Sequence, residues 1–355
     1  MKRKLIFIFA LLVLLISGCA TEPQVESQPY PSSTDAMPST RVVIDMTGKE
    51  VEVPYVVDAY VESWAAHTTI DMLLDNLDGL VASNVPSASR TESWIHMISD
   101  NINTAKSLEF SDNMNLEEII AVKPDVVFGN VESYREMFTN IGIPYVNVSF
   151  DSYDTMIQSI RLTAEILGTD AQENAEKYID YLNSRIEWVG ERVSVLNDDE
   201  KLSVVHGYPM YTLRIDGANT IIDEWINFAG AINAAESVDG AKKTISLEQL
   251  MIWDPDVIIT GTGWSDAEDV INDPAWANLT AVKNGMVFVN PKGIFMWDRY
   301  GTESALQVQW CASVLYPELF ADFDIREEVK LFYREFMRYE LTDEQVDKFM
   351  NHENP

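Results

Sequence analysis

The sequence predicts an α/β fold of two lobes, each with a mostly parallel sheet covered by helices. One long backbone helix joins the lobes, and a ligand cleft lies between them. Three observations carry this expectation. The first is a repeat: residues 116–129, LEEIIAVKPDVVFG, read as a short amphipathic helix, a Pro-Asp stop and a buried strand. Residues 247–260, LEQLMIWDPDVIIT, use the same grammar, with Leu, Glu, Pro, Asp and Val in the same places. They follow about one domain length later, as two lobes of similar build require. The second is the alternation of strand-like and helix-like segments on both sides of the chain's middle, which argues for parallel sheets. The third is the middle itself, where Ala175, Ile179, Leu182, Ile186, Val189 and Val193 recur at three- and four-residue spacing.

Taken in order, the chain opens on a basic Lys2-Arg3-Lys4, then an apolar run over residues 5–16. That run is too short for a permanent span and reads as a signal peptide over residues 1–18. Ser17-Gly18-Cys19 resembles the lipobox of bacterial lipoproteins, which makes Cys19 the lipidation site. Residues 19–40 are the lipidated Cys and a flexible tether, rich in Pro, Ser and Glu, with a root-mean-square reach of roughly 25 Å. The N-terminal α/β lobe spans 41–151. It opens on a hairpin over residues 42–54, whose alternation flanks Thr47-Gly48. Thr68 then caps a helix running to Leu77, and strands follow near residues 80, 126 and 145. A linking helical segment fills 152–197, interrupted at Gly168. The C-terminal α/β lobe spans 198–355, with strands near residues 202, 257 and 286. Its helices fall over residues 221–229, 246–252, 302–315, 325–339 and 342–350. Cys311 sits in an apolar helical stretch and reads as a core residue.

The chain carries 57 Asp+Glu against 25 Lys+Arg, a formal net charge of −32. This excludes nucleic-acid binding through a basic surface and polybasic adhesion to anionic lipid. The membrane link is then the lipid anchor, and the location is extracytoplasmic, on a bacterial cell membrane.

Several segments together resemble one family: the lipobox, DMTGKEVEVP at 45–54, MNLEEIIAVKPDVV at 114–127, ISLEQLMIWDPDVII at 245–259 and ESALQVQWCASVLYPELF at 303–320. In this order they resemble the substrate-binding lipoproteins of iron-complex (siderophore, haem) and cobalamin ABC importers. The resemblance implies a monomeric binding protein that delivers a small-molecule metal chelate to an ABC permease dimer. A ferric siderophore is the first substrate class. Cobalamin or another corrinoid, haem, and molybdate or tungstate are the alternatives within the fold. It also implies that one surface glutamate on each lobe docks onto permease arginines, here Glu117 and Glu248. Both stand in the first turn of a helix, where the dipole favours an acid.

Ligands of parallel sheets bind outside the carboxyl ends of the strands. This nominates loops 63–67, 86–91, 110–113 and 130–134 in the first lobe. In the second it nominates 207–214, 261–265 and 293–300. The candidate contacts are Trp64, His67, Arg90, Tyr134, Tyr208, Tyr211, Arg214, Trp264, Trp297 and Arg299. Aromatics offer broad, rigid contact to a bulky chelate, and guanidinium forks suit anionic groups. Against this, loop aromatics often fold back into a core, and Arg299 can pair with Asp298 or Glu303. The only histidines are His67, His96, His206 and His352, too scattered for the three or four ligands of a bare-metal site. No resident cofactor or metal is expected. No G-x-S-x-G, H-E-x-x-H or P-loop is present, so an enzyme is disfavoured. A tethered sensor would keep the cleft but not need Glu117 and Glu248.

Overall fold

The computed structural model describes residues 39–355; the expected signal peptide, Cys19 and nearly all of the expected tether lie outside them. The expected hairpin forms from β1 (Thr40–Ile44) and β2 (Glu50–Pro54), paired antiparallel. Asp45 closes its turn by accepting from the backbone N–H groups of Thr47 and Lys49, at 2.9 and 3.2 Å. Its second oxygen pairs with Arg135 and takes the Asn147 N–H, which pins the hairpin to the first lobe.

The first sheet contains β3 (Tyr60–Glu62), β4 (Leu80–Ser83), β5 (Lys106–Ser107), β6 (Val126–Gly129) and β7 (Tyr145–Asn147). Its order is β5-β4-β3-β6-β7, all parallel. The second contains β8 (Ser203–Gly207), β9 (Arg214–Ile215), β10 (Ile232–Asn233), β11 (Lys243–Thr244), β12 (Val257–Thr260) and β13 (Val287–Val289). Here β12 lies between β8 and β13 in parallel, β10 pairs with the start of β8, and β9 and β11 extend the edge antiparallel.

The repeat has a structural counterpart. Helix Leu116–Ala121 leads to β6, and helix Leu247–Trp253 leads to β12. Each strand sits between the first and last parallel strand of its sheet. Lys123 and Asp254, the residues before the two prolines, are both left-handed, at φ 52° and 41°. A left-handed residue followed by Pro ends a helix sharply. The aspartates that follow do the same work: Asp125 accepts from the N–H groups of Asp58 and Ala59 beside β3. Asp256 accepts from the N–H and hydroxyl of Ser203 in β8. Each ties the strand of the repeat to its central neighbour.

The linker is two helices, Tyr153–Leu167 and Thr169–Val193, broken at Gly168 with φ +116°. The second has 25 residues, about 37 Å. It buries Ala175, Tyr178, Ile179, Leu182 and Val189. It packs against helix Ser304–Leu315, near which the Tyr178 hydroxyl donates to the Thr302 carbonyl at 2.7 Å. That helix is buried almost all round, and Cys311 is fully enclosed, so burial pushes its thiol well up and leaves it unreactive. One expectation fails in the first lobe. The helix from Thr68 ends at Leu73, not Leu77, because Asp75 turns left-handed at φ 59°. Thr68 does not cap it either: its hydroxyl is buried inside the lobe.

Candidate functional site

A cavity of about 290 Å³ opens beyond the carboxyl ends of β8 and β12. Tyr208, Gly261 and Thr262 supply one wall, and Lys292, Ile294, Phe295, Met296 and His352 the rest. Gly261 is needed where it stands: a Cβ there would come within 2.5 Å of Asp298 Oδ2 and 2.8 Å of the Tyr208 ring. The Tyr208 ring lies 4.4 Å from the Arg299 guanidinium carbon and 4.7 Å from Lys242 Nζ. Two cations thus adjoin one aromatic wall.

Behind that wall lies a buried charge cluster. His206, at the end of β8, has Nδ1 2.8 Å from Asp216 Oδ2 and Nε2 2.9 Å from Asp298 Oδ2, the latter off the line of a good hydrogen bond. Arg299 donates to Asp216 Oδ2 at 2.9 Å and stands 3.6 Å from Asp298. Burial alone would raise Asp216, but His206 and Arg299 outweigh it and hold the carboxyl well below the usual range. Burial likewise opposes charge on His206, and Asp216 and Asp298 outweigh it, so the imidazole holds its proton more firmly than usual. The cluster sets one imidazole and one guanidinium against two carboxyl groups. Arg299 Nη1 is buried with no hydrogen-bond partner, a spare donor next to the cavity's tyrosine.

Glu303 braces the loop between β13 and its following helix. It accepts from the Trp297 indole at 3.0 Å, the Phe295 N–H at 2.7 Å and the Tyr333 hydroxyl. Burial still pushes its carboxyl up, to about 7. The unfolded carboxyl ionises near 4.5. Between those values only the unfolded chain has lost the proton, so stability falls as pH rises. This contribution is complete below 4.5 and lost by about 7, worth roughly 3 kcal/mol. Urea unfolding at about pH 5 and about pH 8 should show that loss in the native chain and not in Glu303→Gln. An equal loss in both would remove Glu303 as its source.

The other side of the cleft is aromatic. The half-buried Trp64 ring lies 5.0 Å from Phe150 and 5.7 Å from Tyr300, which joins the two lobes. Of the expected contacts, only Tyr208 lines the cavity, with Arg299 against it and Trp64 across the cleft. Three must be corrected. Trp297 is fully buried, because its indole N–H is spent on Glu303. Tyr134 is buried within the first lobe's core. His67 is also fully buried, turned inward onto Glu62 with Nδ1 2.7 Å from Oε2. Arg90 is exposed and pairs with Asp100. Tyr211 donates to Asp273 and stacks on Trp276, 6.0 Å away. Arg214 and Trp264 are exposed and outside the cavity lining.

Two cavity residues escaped the sequence reading, Lys292 and His352. His352 is brought in by the tail after helix Asp343–Met350. Phe349 sets its ring against Trp94 at 4.4 Å, and the Trp94 indole donates to the Glu353 carbonyl at 2.7 Å. His352 Nδ1 then donates to the Asn290 carbonyl at 2.8 Å. The tail crosses from the first lobe to the second.

The sequence model for the periplasmic binding proteins matches residues 66–293. The chain belongs to the periplasmic binding protein family. Among curated relatives it is similar to the molybdate-binding protein MolA of Haemophilus influenzae, 27% identical over 64% of this chain and 71% of that one. It is also similar to the Fe(3+)-citrate-binding protein YfmC of Bacillus subtilis, 24% identical over 81% of this chain and 89% of that one. Among solved structures, a periplasmic solute-binding protein of Veillonella parvula superposes with a TM-score of 0.75. It is 28% identical, covering 88% of this chain and 97% of the other. Both curated relatives are named as solute-binding proteins.

In this periplasmic binding protein, Glu117 and Glu248 are both exposed in first turns, and neither forms an ion pair among the described residues. The helices are capped alike: Asn115 accepts from the Glu117 N–H, and Ser246 from the Gln249 N–H. Glu248's own N–H and the Ser246 hydroxyl lower its carboxyl, so it is ionised at neutral pH. Among the described residues no helix is long and apolar enough to cross a membrane.

Proposed function

We propose that this protein captures an anionic metal chelate, a ferric siderophore or ferric carboxylate complex, and hands it to an ABC permease dimer. One observation carries the charge of the solute. In a chain with 57 acidic residues, no carboxylate among the described residues lines the cavity, while Lys292 and His352 do. Lys242 and the spare donor of Arg299 adjoin Tyr208 in the same wall. His352 has already given its Nδ1 hydrogen to Asn290, and burial lowers its affinity for a second proton. The attraction for an anion therefore comes from Lys292 in the lining and from Lys242 and Arg299 against the Tyr208 ring. The relatives' named solutes, molybdate and ferric citrate, are of that charge type. Residues 41–151 and 198–355 act as the two lobes and 152–197 as their link. The body is a monomer held outside the cell through a lipid on Cys19.

A second reading, molybdate or tungstate, is favoured by size. The cavity of about 290 Å³ is at the small end of ligand sites. A thermal-shift series separates the two, because a solute that binds only the folded state raises the melting temperature by mass action. Ferric citrate, a ferric hydroxamate, molybdate, tungstate, cobalamin and haem are the arms. A shift with a ferric chelate is expected, and the same shift should vanish in Lys292→Glu. A shift with the oxyanions alone selects the second reading. A shift with cobalamin alone would sink the anionic reading.

A further inference from the structure

Three ionisable side chains of the first lobe converge beneath the turn that carries Trp64. Glu62 ends β3, His67 closes the turn, and Asp71 lies in helix Thr68–Leu73. All three are fully buried, and one ligand-type atom from each lies within 4.8 Å of the others. His67 Nδ1 is 2.7 Å from Glu62 Oε2 and 3.9 Å from Asp71 Oδ1. These distances bracket the spacing of about 3.3 Å between ligands of a tetrahedral zinc-type ion.

The hydrogen bonds fix which imidazole nitrogen carries the proton. The Ser159 and Thr163 hydroxyls donate to the carbonyls of Val148 and Ser159, at 2.7 and 2.9 Å. A hydroxyl has one proton to give. Their oxygens therefore act as acceptors toward His67 Nε2, at 3.5 and 3.2 Å. Nε2 bears the hydrogen, and Nδ1 presents a lone pair to the two carboxyl groups. This is the second-sphere arrangement that orients a metal-bound histidine. Glu62 is oriented too, because its other oxygen accepts the Trp64 N–H at 2.8 Å.

Asp71 supplies an independent observation. Neither of its oxygens has a hydrogen-bond partner, although the side chain is fully buried. The Thr68 hydroxyl, one turn earlier on the same helix, is equally buried and unpartnered. Orphaned acceptors facing a lone pair call for a positive centre among them.

We propose that Glu62, His67 and Asp71 bind one divalent transition-metal ion of the zinc or manganese class. Two carboxylates and a dication are neutral together, as an apolar surround requires. The mixed nitrogen–oxygen donor set suits these ions. The site is separate from the cavity of Tyr208 and His352. Its ion would hold the His67 ring that stacks 6.1 Å from Trp64, and so stiffen the first-lobe wall of the cleft.

The test uses the full chain, stripped with a chelator and dialysed against zinc sulfate or manganese chloride. About one ion should be retained per chain, and the same metal should raise the melting temperature. Asp71→Asn, close in shape, should weaken retention by well over about tenfold and lose that rise. Asp71→Leu gives a second variant in which the apo protein is spared a buried carboxyl. No stoichiometric metal in the native chain overturns the proposal. So does retention that survives both Asp71 variants but is lost in His352→Gln, which would put the ion in the cleft. Anion shifts are measured on the metal-free protein, so failure here leaves the solute reading standing.

Discussion

Reversing the two glutamates that the family resemblance assigns to permease docking, as Glu117→Arg with Glu248→Arg, is expected to abolish uptake while leaving the solute affinity of the isolated protein unchanged. The two side chains are exposed, lie in first turns of equivalent helices, and pair with no cation among the described residues. They are therefore free for a partner's arginines. Losing a desolvated charge pair at an interface costs about 2 kcal/mol or more, roughly thirtyfold in affinity. Reversal adds repulsion at two separate points. Transport by a reconstituted permease and solute titration of the soluble body are the paired measurements. Undiminished transport would remove the docking role from these two positions. A drop in solute affinity would show that these positions act on the cleft.

Arg299→Met should have the second largest effect, and on two readouts at once. The guanidinium is buried against Asp216 and Asp298 and adjoins Tyr208. Burial works against its charge, and the two aspartates outweigh that and hold it protonated. Removing it leaves His206 alone between two buried carboxylates. Breaking a buried pair of this kind costs about 3–5 kcal/mol. The urea midpoint should fall accordingly, and anion binding should be lost with the spare donor. Arg299→Lys keeps the charge but not the fork, so it should recover part of the stability and little of the binding. A Met variant that binds its anion as tightly as the native chain would show that Arg299 is only a structural bridge.

The fold was legible because its signals are local. The Leu-Glu…Pro-Asp-Val repeat needs only its own helix, stop and strand, and both copies fold as read; the left-handed residue before each proline is what the structure adds. Three second-lobe loops nominated from strand ends do line the cavity, through Tyr208, through Gly261 and Thr262, and through Ile294, Phe295 and Met296, whereas none of the four first-lobe loops does. Individual side chains were not legible. An aromatic or a histidine in a loop can face either way, and partners distant in sequence decide it. Trp297 goes inward because Glu303 waits there, and His67 because Glu62 and Thr163 do. His352 was unreadable for the same reason: its place depends on Trp94, a contact across more than half the chain.

The tail that carries His352 also gives the molecule a usable address. Residues 351–355 leave helix Asp343–Met350 at the cleft margin, with Lys292 Nζ 3.4 Å from Asn354 Oδ1. Anything joined after Pro355 departs from beside the cavity that Lys292 and His352 line. A polarity-sensitive dye placed there should change its emission when a solute enters, turning the protein into an optical gauge of its own cargo.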